Sequence, residues 1–393
     1  MLSAPNRSSV IGVLAMLLLL AAGCQRPETA SLDTFLASAR THVPTYAAGY
    51  TTHTLGDTIF IKALDYGAQV RQRYLLVPRE APGPGPAMPP DVQRIGYPVR
   101  SVVVTSTTQI AMLERLGLLD RVVAVAGADL VSSPTVLARV ADGTIADVGR
   151  AGELDYERIL ALQPDLVMSA SLEGLDGEAM QRLRAQGLPV AVTSEFREAT
   201  PLGRAEWLHM AALFFGQEEA ALDTVRAIAQ RYEALADTAR AQPDRPSVLL
   251  NAAFRGTWYV PGGQNYMARF LEDAGAQYLW SDTDVAGSGS LALDVEAVLD
   301  RAQDADYWLN VNRLLSLEQI EQEDPRYALF EAWQEGRVYN NTKRMTPTGG
   351  IDFWESGIVW PDVILADLTA IFHPELVPDH TMVYYEQLPP TAP

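Results

Sequence analysis

The sequence predicts an α/β protein made of two lobes, each on a mostly parallel sheet, joined by one long α-helix and preceded by extra N-terminal β-strands. Three observations predict it. Short β-branched runs alternate with helical stretches over residues 99–193 and again over 248–340, the pattern of βαβ units. Between the two series, residues 202–241 hold no proline and are rich in Ala, Leu and Glu with apolar residues at helical spacing. Before residue 80 the chain instead alternates apolar and polar residues, as half-buried antiparallel strands do.

Composition limits the function. A chain of 393 residues suits two to three domains of ~150 residues. Its 48% hydrophobic and 20% charged residues describe a packed globular protein. The formal net charge of -19 argues against nucleic acid as a partner. The single cysteine, Cys24, rules out an intrachain disulfide framework and a cysteine-based zinc site.

Taken in order, residues 10–22 read VIGVLAMLLLLAA behind Arg7. At 13 residues the run is shorter than the ~20 of a membrane span and fits the core of a secretory signal peptide. Leu20-Ala21-Ala22-Gly23-Cys24 follows and resembles a bacterial lipobox, although Ala21 stands where Leu is usual. The resemblance implies a signal peptide over 1–23, a lipid on Cys24 and export to the cell envelope. Removing that signal takes away Arg7 and no acid, shifting the net charge from -19 to -20. Residues 24–45 read as a polar tether. Residues 46–96 read as a β extension with strands at 50–54, 58–64 and 69–77 and a Pro/Gly loop at 81–90.

The first lobe is expected over 97–200, with strands at 102–104, 122–126, 166–169 and 190–193 and helices at 109–116, 156–162 and 178–186. The connector over 201–242 reads as a helix of ~40 residues, about 60 Å long at 1.5 Å per residue, with Gly216 as its point of bending. Gln242-Pro243-Asp244-Arg245-Pro246 stops it. The second lobe is expected over 243–393, with strands at 248–251, 257–260, 307–311 and 338–340, a closing helix at 362–372 and a short polar tail. A weak internal repeat links the lobes. Asp155-Tyr156-Glu157 and Asp294-Val295-Glu296 each open a helix that runs into a strand, with Asp placed as N-cap and Glu in the first turn.

Several motifs resemble class III substrate-binding proteins of ABC importers, the branch that carries iron chelates and cobalamin. These are Tyr97-Pro98-Val99-Arg100-Ser101, Asp120-Arg121-Val122-Val123-Ala124-Val125, Asp147-Val148-Gly149-Arg150, and Tyr156-Glu157-Arg158-Ile159-Leu160 leading into Pro164-Asp165-Leu166-Val167. The match covers about 97–375. It implies a monomer that receives a metal chelate and delivers it to a permease with its ATPase, carrying no cofactor of its own. It also implies one exposed Glu per lobe for docking on the permease. Glu157 fits the first lobe; Glu272 or Glu296 fits the second.

In open α/β sheets ligands bind beyond the carboxyl ends of the strands. Cationic and aromatic residues concentrate at those ends: Arg197, Arg255, Arg313, Lys343 and Arg344 with Phe196, Phe254, Trp258, Tyr259, Phe353 and Trp354. Guanidinium groups suit an anionic ligand, and flat rings give contact area to a bulky one. The candidate ligand set is Phe196, Arg197, Arg255, Trp258, Tyr259, Arg313, Arg344 and Trp354. A ferric siderophore is favoured by the cations, and cobalamin is compatible with the aromatics. Trp258 and Tyr259 sit in TWYV, so one of them belongs to the core. No histidine falls at a predicted strand end, which disfavours a free metal ion. The enzyme alternative rests on Asp352 and Glu355 as a carboxylate pair in a cell-envelope hydrolase.

Overall fold

A computed structural model describes residues 31–64, 70–80, 88–150, 153–170, 178–285 and 289–391. The expected signal peptide, Cys24 and most of the Pro/Gly loop lie outside them. No helix among the described residues is long and apolar enough to cross a membrane.

The first-lobe sheet has the spatial order 190–192, 166–169, 102–104, 122–125 and 146–147, all parallel. Its strands are continuous apolar runs because helices cover both faces. The second sheet has the order 277–278, 247–250, 307–309, 338–340 and 386–387, parallel except for its last strand. In each sheet the chain reverses direction of winding beside the lobe's first strand, at 102–104 and at 247–250.

The connector departs from the single long helix expected. It is two helices, Pro201–Leu213 and Glu218–Arg240. Phe214 ends the first, its carbonyl accepts the Val99 N–H at 2.9 Å, and Gly216 turns the chain with φ +69°. A left-handed residue here is what glycine provides without steric cost. The first helix is buried on almost every side within the first lobe. The second crosses between lobes: Ala221 and Val225 pack in the first core, and Ile228, Ala229, Tyr232 and Ala236 in the second. Its 23 residues span about 35 Å.

Two boundaries change as well. The tether is folded from residue 31: Leu32–Ser38 is a helix capped by Ser31, and Arg40–His42 is a strand paired with Tyr50–Leu55. Phe35 drives this, packing buried against Phe60 with ring centroids 6.4 Å apart. The extension is a five-stranded sheet completed by Val92–Tyr97. Alternation divides its residues. Ile59, Ile61, Tyr74, Leu76 and Ile95 join the first-lobe core with Trp207 and Phe214, while Phe60, Leu75 and Val77 face the Phe35 helix. The Gln93 side chain bonds both N–H and C=O of Val190, and Tyr74 Oη accepts the Val192 N–H. The extension therefore covers the edge of the first-lobe sheet.

The polar tail is also corrected. Tyr384, Tyr385 and Leu388 are buried, and Glu386–Gln387 adds a strand beside Val338–Asn340. Asp367, fully buried on helix Pro361–Phe372, accepts the backbone N–H groups of Val383, Tyr384 and Tyr385. A buried carboxylate supplied with several N–H donors is satisfied, so the tail is fixed to the lobe.

Candidate functional site

The second-lobe strands end in asparagines. Asn251 follows Ser247–Leu250, Asn310 and Asn312 follow Tyr307–Leu309, and Asn341 follows Val338–Asn340. The first three have φ of 67°, 62° and 58°, and asparagine is among the few side chains that tolerate this region. All four line a cavity of about 750 Å³ together with Phe254, Arg255, Arg313, Leu314, Glu323, Gly349, Gly350, Ile351 and Trp354. The first lobe closes it with Thr107, at the start of helix Thr107–Arg115, and Leu130. The cavity therefore lies between the lobes at the strand ends, beside the switch point of the second sheet.

Of the expected ligand residues, Arg255, Arg313 and Trp354 line this cavity. The Arg255 guanidinium lies 5.2 Å from the Phe254 ring centroid, and Phe254 is exposed. Arg313 Nη2 donates to the Gly349 carbonyl at 2.8 Å. Gly349 sits at φ +92°, and a Cβ there would collide with that guanidinium and displace it.

The other five do not line it. Phe196 and Arg197 follow the outermost strand of the first sheet, with the guanidinium 5.5 Å from the Phe196 ring. Trp258 is a correction: it is fully buried, stacked on Trp308 at 5.7 Å, and donates to the Leu250 carbonyl at 2.9 Å. Tyr259, its neighbour in the strand, points outward and is exposed. Arg344 pairs with Asp352 at 2.9 Å and faces a second cavity of about 520 Å³. Lys343 donates to the Met382 carbonyl at 2.5 Å.

The carboxylate pair of the hydrolase alternative is committed elsewhere. Glu355 accepts the N–H groups of Ser132 and Ser133 at 2.7 and 2.8 Å, joining the second lobe to the first. Burial, opposed by those two hydrogen bonds and reinforced by Asp352 and Glu114, pushes its carboxyl up to about 8. Asp352 is buried beside Arg344. Neither lines the inter-lobe cavity.

Sequence reasoning missed Asn251, Leu130, Ala253, Leu314 and Glu323 as cavity residues. An Asn closing an apolar strand was the available signal for Asn251; nothing marked the others. Among the described residues, no group of three His, Cys, Asp or Glu side chains is placed to hold a metal ion. Glu157 is exposed in the first turn of Tyr156–Leu162, and Glu272 is exposed in the last turn of Tyr266–Asp273, 3.2 Å from Arg269. Glu296 is the counterpart of Glu157 by topology, since each helix has an Asp N-cap and leads to the strand beside the lobe's first. Glu296 is paired with Arg326.

Two such sheets, a helix crossing between them and a cleft at their strand ends define a bilobal solute-binding protein. Residues 102–345 match the model of the periplasmic binding protein family, and the chain belongs to that family. The N-terminal sheet precedes the matched region. An uncharacterized lipoprotein of Methanocaldococcus jannaschii is 26% identical over 317 residues, covering 77% of this chain and 73% of the relative. A periplasmic heme-binding protein from Pseudomonas aeruginosa superposes with a TM-score of 0.54 at 23% identity, covering 70% of this chain and 93% of that one. A protein of an Fe3+-hydroxamate transport system from Saccharomonospora viridis gives 0.50 at 20% identity, with coverages of 70% and 94%. At these identities the structural likeness is one of fold.

Proposed function

We propose that this chain is the exported substrate-binding component of an ABC importer, lipid-anchored through Cys24, and that it captures an anionic metal chelate, a ferric siderophore in the first place. The observation that carries the reading is the inter-lobe cavity, where Arg255 and Arg313 stand beside Phe254 and Trp354 in a chain of net charge -19. Guanidinium groups fork onto carboxylate or catecholate oxygens, and the rings give a bulky chelate its contact area.

The structural neighbours include a heme-binding protein and a hydroxamate-transport protein. The lining favours the second kind of cargo. Among the described residues it contains no His, Tyr, Met or Cys, the side chains that supply an axial ligand to heme iron. A metal already saturated by its own chelator needs none. Delivery follows docking of one exposed Glu per lobe on the permease, Glu157 on the first and Glu272 on the second, with Glu296 as the competing choice. The protein acts as a monomer with no resident cofactor.

Calorimetric titration with anionic ferric siderophores, a cationic one and hemin tests this. Saturable binding that favours the anionic complexes is expected. Binding of none of them removes the reading, and preference for hemin replaces the saturated chelate with heme.

A further inference from the structure

We infer that the second cavity, of about 520 Å³, is a separate ligand site that takes a small zwitterion with an apolar body, an amino acid or short peptide. The inference does not depend on what the cleft carries. Three elements divide the two cavities, and each shows different residues to them. Helix Thr107–Arg115 gives Thr107 to the cleft and Ala111, Glu114 and Arg115 to the second cavity. Leu130 faces the cleft, while Ser132 and Ser133 face the second cavity. Ile351 and Trp354 face the cleft, while Asp352 and Ser356 face the second cavity. Among the described residues none lines both. Glu355 fixes the dividing wall by accepting the Ser132 and Ser133 N–H groups across the lobe joint.

Two polar groups in the lining lack a partner. The Arg115 guanidinium lies 4.0 Å from the Trp360 ring centroid, yet its Nε is buried with no hydrogen-bond partner among the described residues. Burial and the nearby Arg231 push its pKa down; Asp362, the acid that supports its charge, is itself bonded to Arg231 at 2.6 Å. The Ser132 Oγ is likewise buried and unbonded. Buried donors of this kind cost free energy until a ligand reaches them. The other cation in the lining, Arg344, already has Asp352 at 2.9 Å. Glu114 is exposed, and one of its oxygens accepts the Ser133 hydroxyl at 3.0 Å. One guanidinium and one carboxylate oxygen, on consecutive residues, are therefore open to a ligand. A carboxylate suits the first and an ammonium the second. A plain anion would satisfy Arg115 and face Glu114 and Asp352 as like charges. Val359, Val363 and Val383 give the apolar part of the wall.

Leucine, 4-methylpentanoate and isopentylamine share a branched hydrocarbon chain and carry both charges, the carboxylate alone or the ammonium alone. In calorimetric titration, leucine or leucyl-leucine should bind about tenfold or more tightly than either singly charged analogue, since a site built to pair a ligand group rejects the analogue lacking it. Arg115→Met, which keeps an unbranched stem against Trp360, should weaken the zwitterion about tenfold or more, as the loss of a charged hydrogen bond does. Ser132→Ala removes only a hydroxyl; it should weaken the zwitterion several-fold and carries the test where Arg115→Met does not fold. Arg255→Ala, in the cleft, should change nothing. Binding of neither zwitterion, equal affinity for a singly charged analogue, or affinity unchanged in both second-cavity variants overturns the inference. So does binding that Arg255→Ala abolishes, which would place the zwitterion in the cleft. None of these results touches the carrier reading, which the siderophore titration decides by itself.

Discussion

Arg255 and Arg313 follow strand ends in the sequence, and that is why they could be found there. A strand end in an open α/β sheet points to the ligand side whatever the details of packing. Trp258 could not be placed the same way, because alternation in a four-residue strand allows either face to be the inner one; burial chose Trp258 for the core and left Tyr259 outside. Arg255→Ala should weaken an anionic chelate by about 1.5–3 kcal/mol, the range for a hydrogen bond to a charged group, and calorimetry would show it as a rise in Kd of about 10- to 150-fold. An unchanged Kd would remove Arg255 from the site. Glu355 makes a different prediction. Its carboxyl is raised from 4.5 to about 8 in the folded state, so the unfolded chain ionises first as pH rises. Its contribution to stability is full below pH 4.5, declines across the window and is gone by about pH 8. Wild-type Tm should therefore fall from pH 5 to pH 8 by more than that of Glu355→Gln. Parallel profiles in differential scanning calorimetry would contradict this.

Among the elements, strands and helices with strong periodicity were legible: 156–162, 166–169 and 338–340 lie where the pattern puts them. What the pattern hid depended on tertiary partners. Residues 201–242 carry helical composition throughout, and the break at Phe214–Gln217 is set by packing of Phe214 against the N-terminal sheet and by the left-handed Gly216. The tail after residue 372 looked polar because its anchor, Asp367, lies in another element. Gly216→Ala puts a side chain at φ +69°, which costs about 1–2 kcal/mol. Lower Tm with unchanged chelate affinity is the expected outcome. A loss of affinity would mean that the turn also sets the cleft.

At the scale of the whole molecule, the two lobes are tied at two places. Helix Glu218–Arg240 runs through both cores, and the segment after residue 351 places Phe353 in the second core and Ile358 and Val359 in the first. Glu355 adds hydrogen bonds across the same joint. Lobes joined in this way move less than lobes hinged by strands, so scattering profiles with and without bound chelate should nearly superimpose. A large fall in radius of gyration would refute the rigid coupling. The central claim is that the inter-lobe cavity is where a metal chelate binds, and Trp354, exposed in its wall, reports on it directly. Titration of a ferric siderophore against intrinsic fluorescence should give saturable quenching that Trp354→Phe largely removes. Quenching of the same depth in that variant, or none with any chelate, would place the ligand elsewhere.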